Sequence, residues 1–132
     1  MKILNKLRKS RKHILVVDDE QNITTAMSRV LQHSGFQTAE AGSCAEALTR
    51  MKEQPADAVL LDIELPDSNG LEFLTQFKSL YPNVPVVMMT GLGYEEELMA
   101  KALKNGASGY VGKGVGMDDA IVAIKRVLPP ER

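Results

Sequence analysis

The chain has 132 residues, enough to bury a real core but too few for two comfortable domains. Its residues are 44% apolar and 25% charged, with ten Gly, six Pro and no Trp, which excludes disordered, collagenous and disulfide-built classes. No apolar run approaches the ~20 residues of a membrane-spanning helix. The single cysteine, Cys44, has no internal disulfide partner, and no signal-peptide core follows the basic start. The expected location is cytoplasmic.

The formal net charge of −1 conceals two unlike parts, because Lys2, Lys6, Arg8, Lys9, Arg11 and Lys12 put six of the sixteen basic residues into the first twelve positions, with no acid among them. Residues 13 to 132 therefore carry ten basic and seventeen acidic residues, a net −7. An acidic body argues against direct nucleic-acid binding, which depends on Lys and Arg neutralising phosphates. Residues 1–12 are expected to form a basic, disordered extension, 13–128 the folded domain, and 129–132 a short tail.

From residue 13 onward, short apolar runs alternate with patterns of helical period, as parallel βαβ units do. The first run is His13 to Val17, ending at Asp18-Asp19. A helix with Ile23, Met27, Val30 and Leu31 on one face follows and stops near Gly35. A short strand over 36–41 leads to Ser43, a candidate N-cap with Glu46 three residues on completing a capping box, and a helix whose buried stripe is Ala45, Leu48 and Met51. Ala58 to Leu61 is apolar throughout, as a central strand covered on both faces is, and ends at Asp62. A loop through Pro66 to Gly70 precedes a helix carrying Leu71, Leu74 and Phe77. Val84 to Met89 gives the next strand, ending at Thr90-Gly91. A fourth helix starts near Glu95, whose acidic neighbours suit a helix N-terminus, and carries Leu98, Ala102 and Leu103. Gly109 to Val111 is the last strand, and Met117, Ile121, Ile124 and Leu128 mark a fifth helix closed by Pro129-Pro130. Five strands alternating with five helices predict a flavodoxin-like (βα)5 doubly wound sandwich, a five-stranded parallel sheet in the order 2-1-3-4-5 with helices on both faces.

In such sheets ligands bind beyond the carboxyl ends of the strands. Those ends supply Asp18, Asp19, Asp62, Thr90 and Lys113. Carboxylates crowded in a crevice call for a cation, and oxygen donors with retained waters suit Mg²⁺. A lysine and a hydroxyl beside it match a phosphoryl group. Asp62 is then the natural nucleophile, since a carboxylate can form an acyl phosphate.

Four spaced motifs, Val16-Val17-Asp18-Asp19-Glu20, Leu60 to Gly70 around Asp62, Val87-Met88-Met89-Thr90-Gly91, and Gly106 to Lys113, together resemble the response-regulator receiver domain of two-component signalling over residues 13–127. The resemblance implies that Asp62 accepts a phosphoryl group from a sensor histidine kinase or a phosphotransfer protein. It also implies that Asp18, Asp19, Asp62 and the backbone carbonyl of Glu64 hold Mg²⁺, with Asp18 acting through a bound water. Lys113 would pair with the phosphoryl oxygens. Thr90 and Tyr110 would act as the switch, reshaping the face made by helix 4, strand 5 and helix 5 for a downstream protein or output domain, with a phosphorylation-dependent homodimer as one form of that contact. It implies no conventional turnover enzyme, only self-phosphorylation from a phosphodonor and slow autodephosphorylation, and no membrane partner. Two positions depart from or vary within the pattern. Gly114 stands where the family has proline after the lysine, so a trans bond or a looser loop is expected. Glu64 occupies a position that tunes phosphoryl lifetime.

The remaining residues read more plainly. Met88 and Met89 are core filling, His13 and His33 lack ligand spacing, and Cys44 is an inert small residue. Three rival functions differ in test: a phosphorylation-independent scaffold, an aspartyl phosphatase, which would need an aspartate in place of Glu64, and a nucleotide-binding module, which would need a Gly-rich phosphate loop. A stand-alone regulator and the receiver portion of a longer protein remain equal alternatives.

Overall fold

A computed structural model describes residues 11–91, 95–113 and 117–129; the expectations for the basic leader up to residue 10, for Gly114 and for the tail after Pro129 lie outside them. Five short runs form the strands β1 (His13–Val17), β2 (Gln37–Ala41), β3 (Ala58–Asp62), β4 (Val86–Thr90) and β5 (Gly109–Gly112). Between and after them run α1 (Gln21–His33), α2 (Cys44–Glu53), α3 (Gly70–Leu80), α4 (Glu96–Lys104) and α5 (Asp118–Val127). All strand pairs are parallel and the order is 2-1-3-4-5, as the expected flavodoxin-like sandwich requires.

Alternation of side chains along each strand divides the core in two. Leu15, Val17, Val59, Leu61, Val86 and Met88 face one side, where they bury Cys44, Ala47 and Met51 of α2, Phe73, Leu74 and Phe77 of α3, and Ala102 of α4. Ile14, Val16, Ala58, Leu60, Val87 and Met89 face the other, against Met27 and Leu31 of α1 and Ala120, Ile121 and Ile124 of α5. Every residue of β1, β3 and β4 is buried, whereas β5 is half-buried throughout and β2 is buried only at Ala41, so the edge strands lack the all-apolar signature of the central ones.

Two helix readings need correction. The buried stripe of α2 is Cys44, Ala47 and Met51, with Leu48 partly buried and Ala45 exposed. The helix is rotated because its first residue, Cys44, turns into the core. Leu103 of α4 is 47% exposed, whereas Ala102 is buried in, and Leu98 packs against, the core on this face of the sheet. Ser43 caps α2 by accepting from Glu46 N at 3.1 Å, but the reciprocal half of the capping box is replaced by an ion pair from Glu46 to Arg50 at 3.7 Å. Gly35 and Gly106, after α1 and α4, have φ of +96° and +108°, the left-handed region that favours glycine at a helix exit. Among the described residues no helix is long and apolar enough to cross a membrane.

Candidate functional site

In the order 2-1-3-4-5 the connections reverse direction between β1 and β3, and a crevice opens there beyond the strand ends. Asp18 follows β1 and Asp62 ends β3, so the fold itself brings the two acids together. They are held alike. Asp18 Oδ1 accepts from Glu20 N at 2.9 Å, and Asp62 Oδ1 accepts from Glu64 N at 3.2 Å. Each carboxylate thus uses one oxygen to turn its own chain two residues on, a habit of aspartate at turns, and keeps Oδ2 for the crevice.

Both free oxygens meet the same cation. Lys113, just past β5, places Nζ 2.7 Å from Asp18 Oδ2 and 2.8 Å from Asp62 Oδ2, with Glu20 Oε1 at 3.3 Å. Its own amide donates to Thr90 O at 2.8 Å, which ties the lysine to the end of β4. The two aspartate side chains are 0% and 3% exposed, so they need this partner. Burial raises the Asp62 carboxyl to about 6, with the Lys113 hydrogen bond opposing and the Asp18 charge reinforcing the rise. For Lys113, burial works against the charge, but the hydrogen bonds and charges of Asp18 and Asp62 outweigh it and hold the ammonium well above the ordinary lysine value.

A cavity of about 450 Å³ lies over this pair, lined by Asp19, Glu20, Asp62, Glu64, Leu65, Pro66, Gly91 and Lys113. The predicted residues Asp19, Asp62, Glu64 and Lys113 therefore share one groove. Asp18 and Thr90 lie beneath it, 1% and 2% exposed. Tyr110 pairs with Met88 across β4 and β5, two positions before the Thr90–Gly112 pair, so Tyr110 and Thr90 are on the same face of the sheet. The tyrosine packs against the α2–α4 side of the core and lines a different cavity, between β5 and α5. Its hydroxyl is buried and has no hydrogen-bond partner among the described residues.

Asp18, Asp19 and Glu20 each offer a carboxylate oxygen within 4.8 Å of the others, with Asp62 held across the crevice by Lys113. An all-oxygen, multiply anionic donor set fits a hard divalent cation. Glu20 is the residue whose part here sequence reasoning missed. It was visible as the third acid after β1, but its contact with Lys113 spans 93 positions and no local pattern encodes it. The Glu64–Asn69 loop beside the groove is closed by a bridge between those two residues, by Gly70 N donating to Ile63 O at 2.6 Å, and by Asn69 Oδ1 capping α3 at Leu71 N, 2.8 Å away. His13 is buried at the other end of the sheet and His33 is exposed, so neither reaches the groove. Cys44 is buried, and its thiol is pushed up to about 12 by burial first and then by Asp67, which suits an inert residue.

A doubly wound parallel sheet with acids and a lysine meeting at its reversal point defines the class of protein. The chain belongs to the response regulator receiver domain family, whose profile matches residues 14–125, and these are receiver domains of two-component systems. It is 32% identical over 116 residues to sporulation initiation phosphotransferase F of Bacillus subtilis (strain 168), covering 88% of this chain and 93% of that protein. It is 36% identical over 119 residues to the phosphate regulon transcriptional regulatory protein PhoB of Escherichia coli (strain K12), covering 89% of this chain but spanning only 52% of PhoB. The crystal structure of the receiver domain of NtrX from Brucella abortus superimposes with a TM-score of 0.81 at 34% identity, covering 87% of this chain and 97% of that one.

Proposed function

We propose that this chain is a phosphoacceptor receiver of a two-component phosphorelay, with Asp62 as the accepting residue. The observation that carries the reading is the placement of Asp62 in the open groove with Oδ2 2.8 Å from Lys113 Nζ. An Asp62 oxygen attacks the phosphorus of a phosphohistidine on a sensor kinase or phosphotransfer protein. The O–P bond forms as the N–P bond breaks, and that electron pair leaves with the imidazole nitrogen. Lys113 already offsets part of the charge of the buried acids, and it follows the negative charge as this passes to the phosphoryl oxygens. Asp18, Asp19, Asp62 and the Glu64 main-chain carbonyl are the residues that would hold Mg²⁺, with Glu20 beside them. When bound, the ion supplies neutralisation of the charge on the transferring group.

Thr90 and Tyr110, on one face of neighbouring strands, couple the modified aspartate to the α4–β5–α5 side. Phosphorylation shifts an existing two-state equilibrium there toward a form that binds a downstream protein, an output domain or a second copy of the chain. The folded unit is 13–128. Incubation with a small phosphodonor should label the wild-type chain only with Mg²⁺ present, and Asp62→Asn should abolish the label. Failure of the wild type to label overturns the reading and favours a phosphorylation-independent scaffold.

A further inference from the structure

The corner between β2 and α2 touches both limbs of the acid groove from behind. Asp18 N donates to Ala41 O at 3.0 Å where β2 ends, fixing the β1 limb. At the start of α2, Cys44 N and Ala45 N donate to Oδ1 and Oδ2 of Asp67 at 3.0 and 3.1 Å. Asp67 sits at the tip of the Glu64–Asn69 loop, so the same corner also grips the β3 limb.

Nothing local requires this contact. Asp67 is exposed and could be satisfied by water, and the two amides lie 23 and 22 positions earlier in the chain. Yet the carboxylate takes one bond on each oxygen, from two free amides of a helix N-terminus, where a negative charge is favoured by both the amides and the helix dipole. With Ser43 capping Glu46 N, the first turn of α2 is satisfied jointly by its own cap and by the site loop. The Glu64–Asn69 bridge and the Gly70–Ile63 bond anchor the loop at its base. At the tip, Leu65 packs against the core and Ser68 meets the Cys44 side chain, but Asp67 makes the two main-chain bonds to α2.

We infer that Asp67 is a positioning residue, a clasp between the loop tip and α2 that fixes where Glu64 presents its main-chain carbonyl to the groove. This rests on the reading of the groove as a Mg²⁺-dependent phosphoacceptor site. Coupling is reciprocal, so a groove ordered by Mg²⁺ also tightens the first turn of α2, on the far side of the loop from Asp62.

The test uses the full chain with MgCl₂ alone. Mg²⁺ affinity is measured by titration calorimetry, and exchange of the Cys44 and Ala45 amide protons by NMR. Removal of a group that orients a metal ligand weakens binding roughly tenfold or more, and Asp67→Ala is expected to do so. In wild type, Mg²⁺ should slow exchange at the two amides; in Asp67→Ala they should exchange faster and no longer respond to Mg²⁺. Asp67→Asn, which keeps one acceptor oxygen, should fall between. Ser43→Ala weakens the same helix end without touching the loop, so it should leave Mg²⁺ affinity unchanged. Unaltered affinity in Asp67→Ala, or an equal loss in Ser43→Ala, overturns the inference and leaves Asp67 a mere helix cap. A wild-type chain that binds no Mg²⁺ overturns the underlying functional reading instead. Equal amide exchange in wild type and Asp67→Ala would independently show that no clasp exists.

Discussion

Asp18, Asp62 and Lys113 form a buried triad in which one cation serves two anions, and the surplus charge has consequences for stability. The Asp62 carboxyl rises from 3.8 to about 6 on folding, chiefly through burial. The folded state therefore holds a proton more tightly than the unfolded chain, and ionising Asp62 at neutral pH costs stability. With metal chelated, Asp62→Asn should raise stability at about pH 7.5 by roughly 3 kcal/mol, and the gain should shrink to a small remainder toward about pH 4, where folded wild-type Asp62 is neutral. Urea midpoints at the two pH values decide it; an equal gain at both would mean that packing, not ionisation, is responsible. Lys113→Met has the opposite sign. It leaves two carboxylates 0% and 3% exposed without a cation, and breaking a buried pair from one side costs roughly 3 kcal/mol or more. Its denaturation midpoint in chelator should fall well below wild type, and Mg²⁺ should restore part of the loss. These acids were legible in the sequence because each follows an apolar run and the fold class says where such positions meet. Glu20 was not, because its role exists only once Lys113 arrives from the far end of the chain.

At the scale of elements, the entry to α3 is the tightest point of the site. A Cβ on Gly70 would lie 2.5 Å from the Asp62 carbonyl oxygen and 2.6 Å from both Cα and the carbonyl oxygen of Ile63, all main-chain atoms that cannot swing aside. Gly70→Ala must therefore displace the backbone of β3's last residue, Asp62, the proposed phosphoacceptor. Overpacking of this kind costs roughly 1–3 kcal/mol, and here the shift is also expected to slow phosphodonor labelling more than the loss of folded protein accounts for. Labelling rates normalised to the folded fraction from circular dichroism would show it; a normalised rate equal to wild type would mean the strain is absorbed inside α3. The sequence marked this glycine as the end of the loop that starts at Pro66 and of the motif around Asp62, without showing how closely it meets the main chain of β3. Helix phase was similarly half legible. The period of α2 was readable, but Cys44, treated as a neutral small residue, supplies the first core contact and rotates the stripe. Leu103 shows the converse, an apolar residue in helical register that the short α4 leaves in water.

Across the whole molecule, the sheet separates two buried titratable groups that respond to pH in opposite directions. The parallel sheet and its two-sided core followed from apolar runs of strand length alternating with helical periods, a pattern a doubly wound sheet satisfies economically, while the order 2-1-3-4-5 belongs to the flavodoxin-like class. The parity of each strand then fixed which residues face which helices. What that pattern does not reveal is the polar trim at the amino-terminal edge. There His13 N donates to Asp57 Oδ2 at 2.7 Å and Asp57 N donates to His13 O at 2.7 Å, a reciprocal clip between the start of β1 and the entry to β3. Burial lowers the His13 imidazole below its ordinary value, with Asp57 opposing. Its contribution is complete above the unfolded pKa of 6.5 and is lost as pH falls through the folded value. Asp62, at the opposite edge, takes up its proton at about 6 and gains stability over much of the same window. In chelator the two linkages partly cancel in wild type. His13→Gln should therefore gain stability relative to wild type as pH falls from about 7 to about 5, while Asp62→Asn loses part of its advantage over the same span. The double variant should show the sum of the two trends, because the sites share no contact. Urea midpoints of the four proteins across that window make the measurement. A His13→Gln curve parallel to wild type would mean that the buried imidazole titrates as it does in the unfolded chain, and that the cancellation has another source.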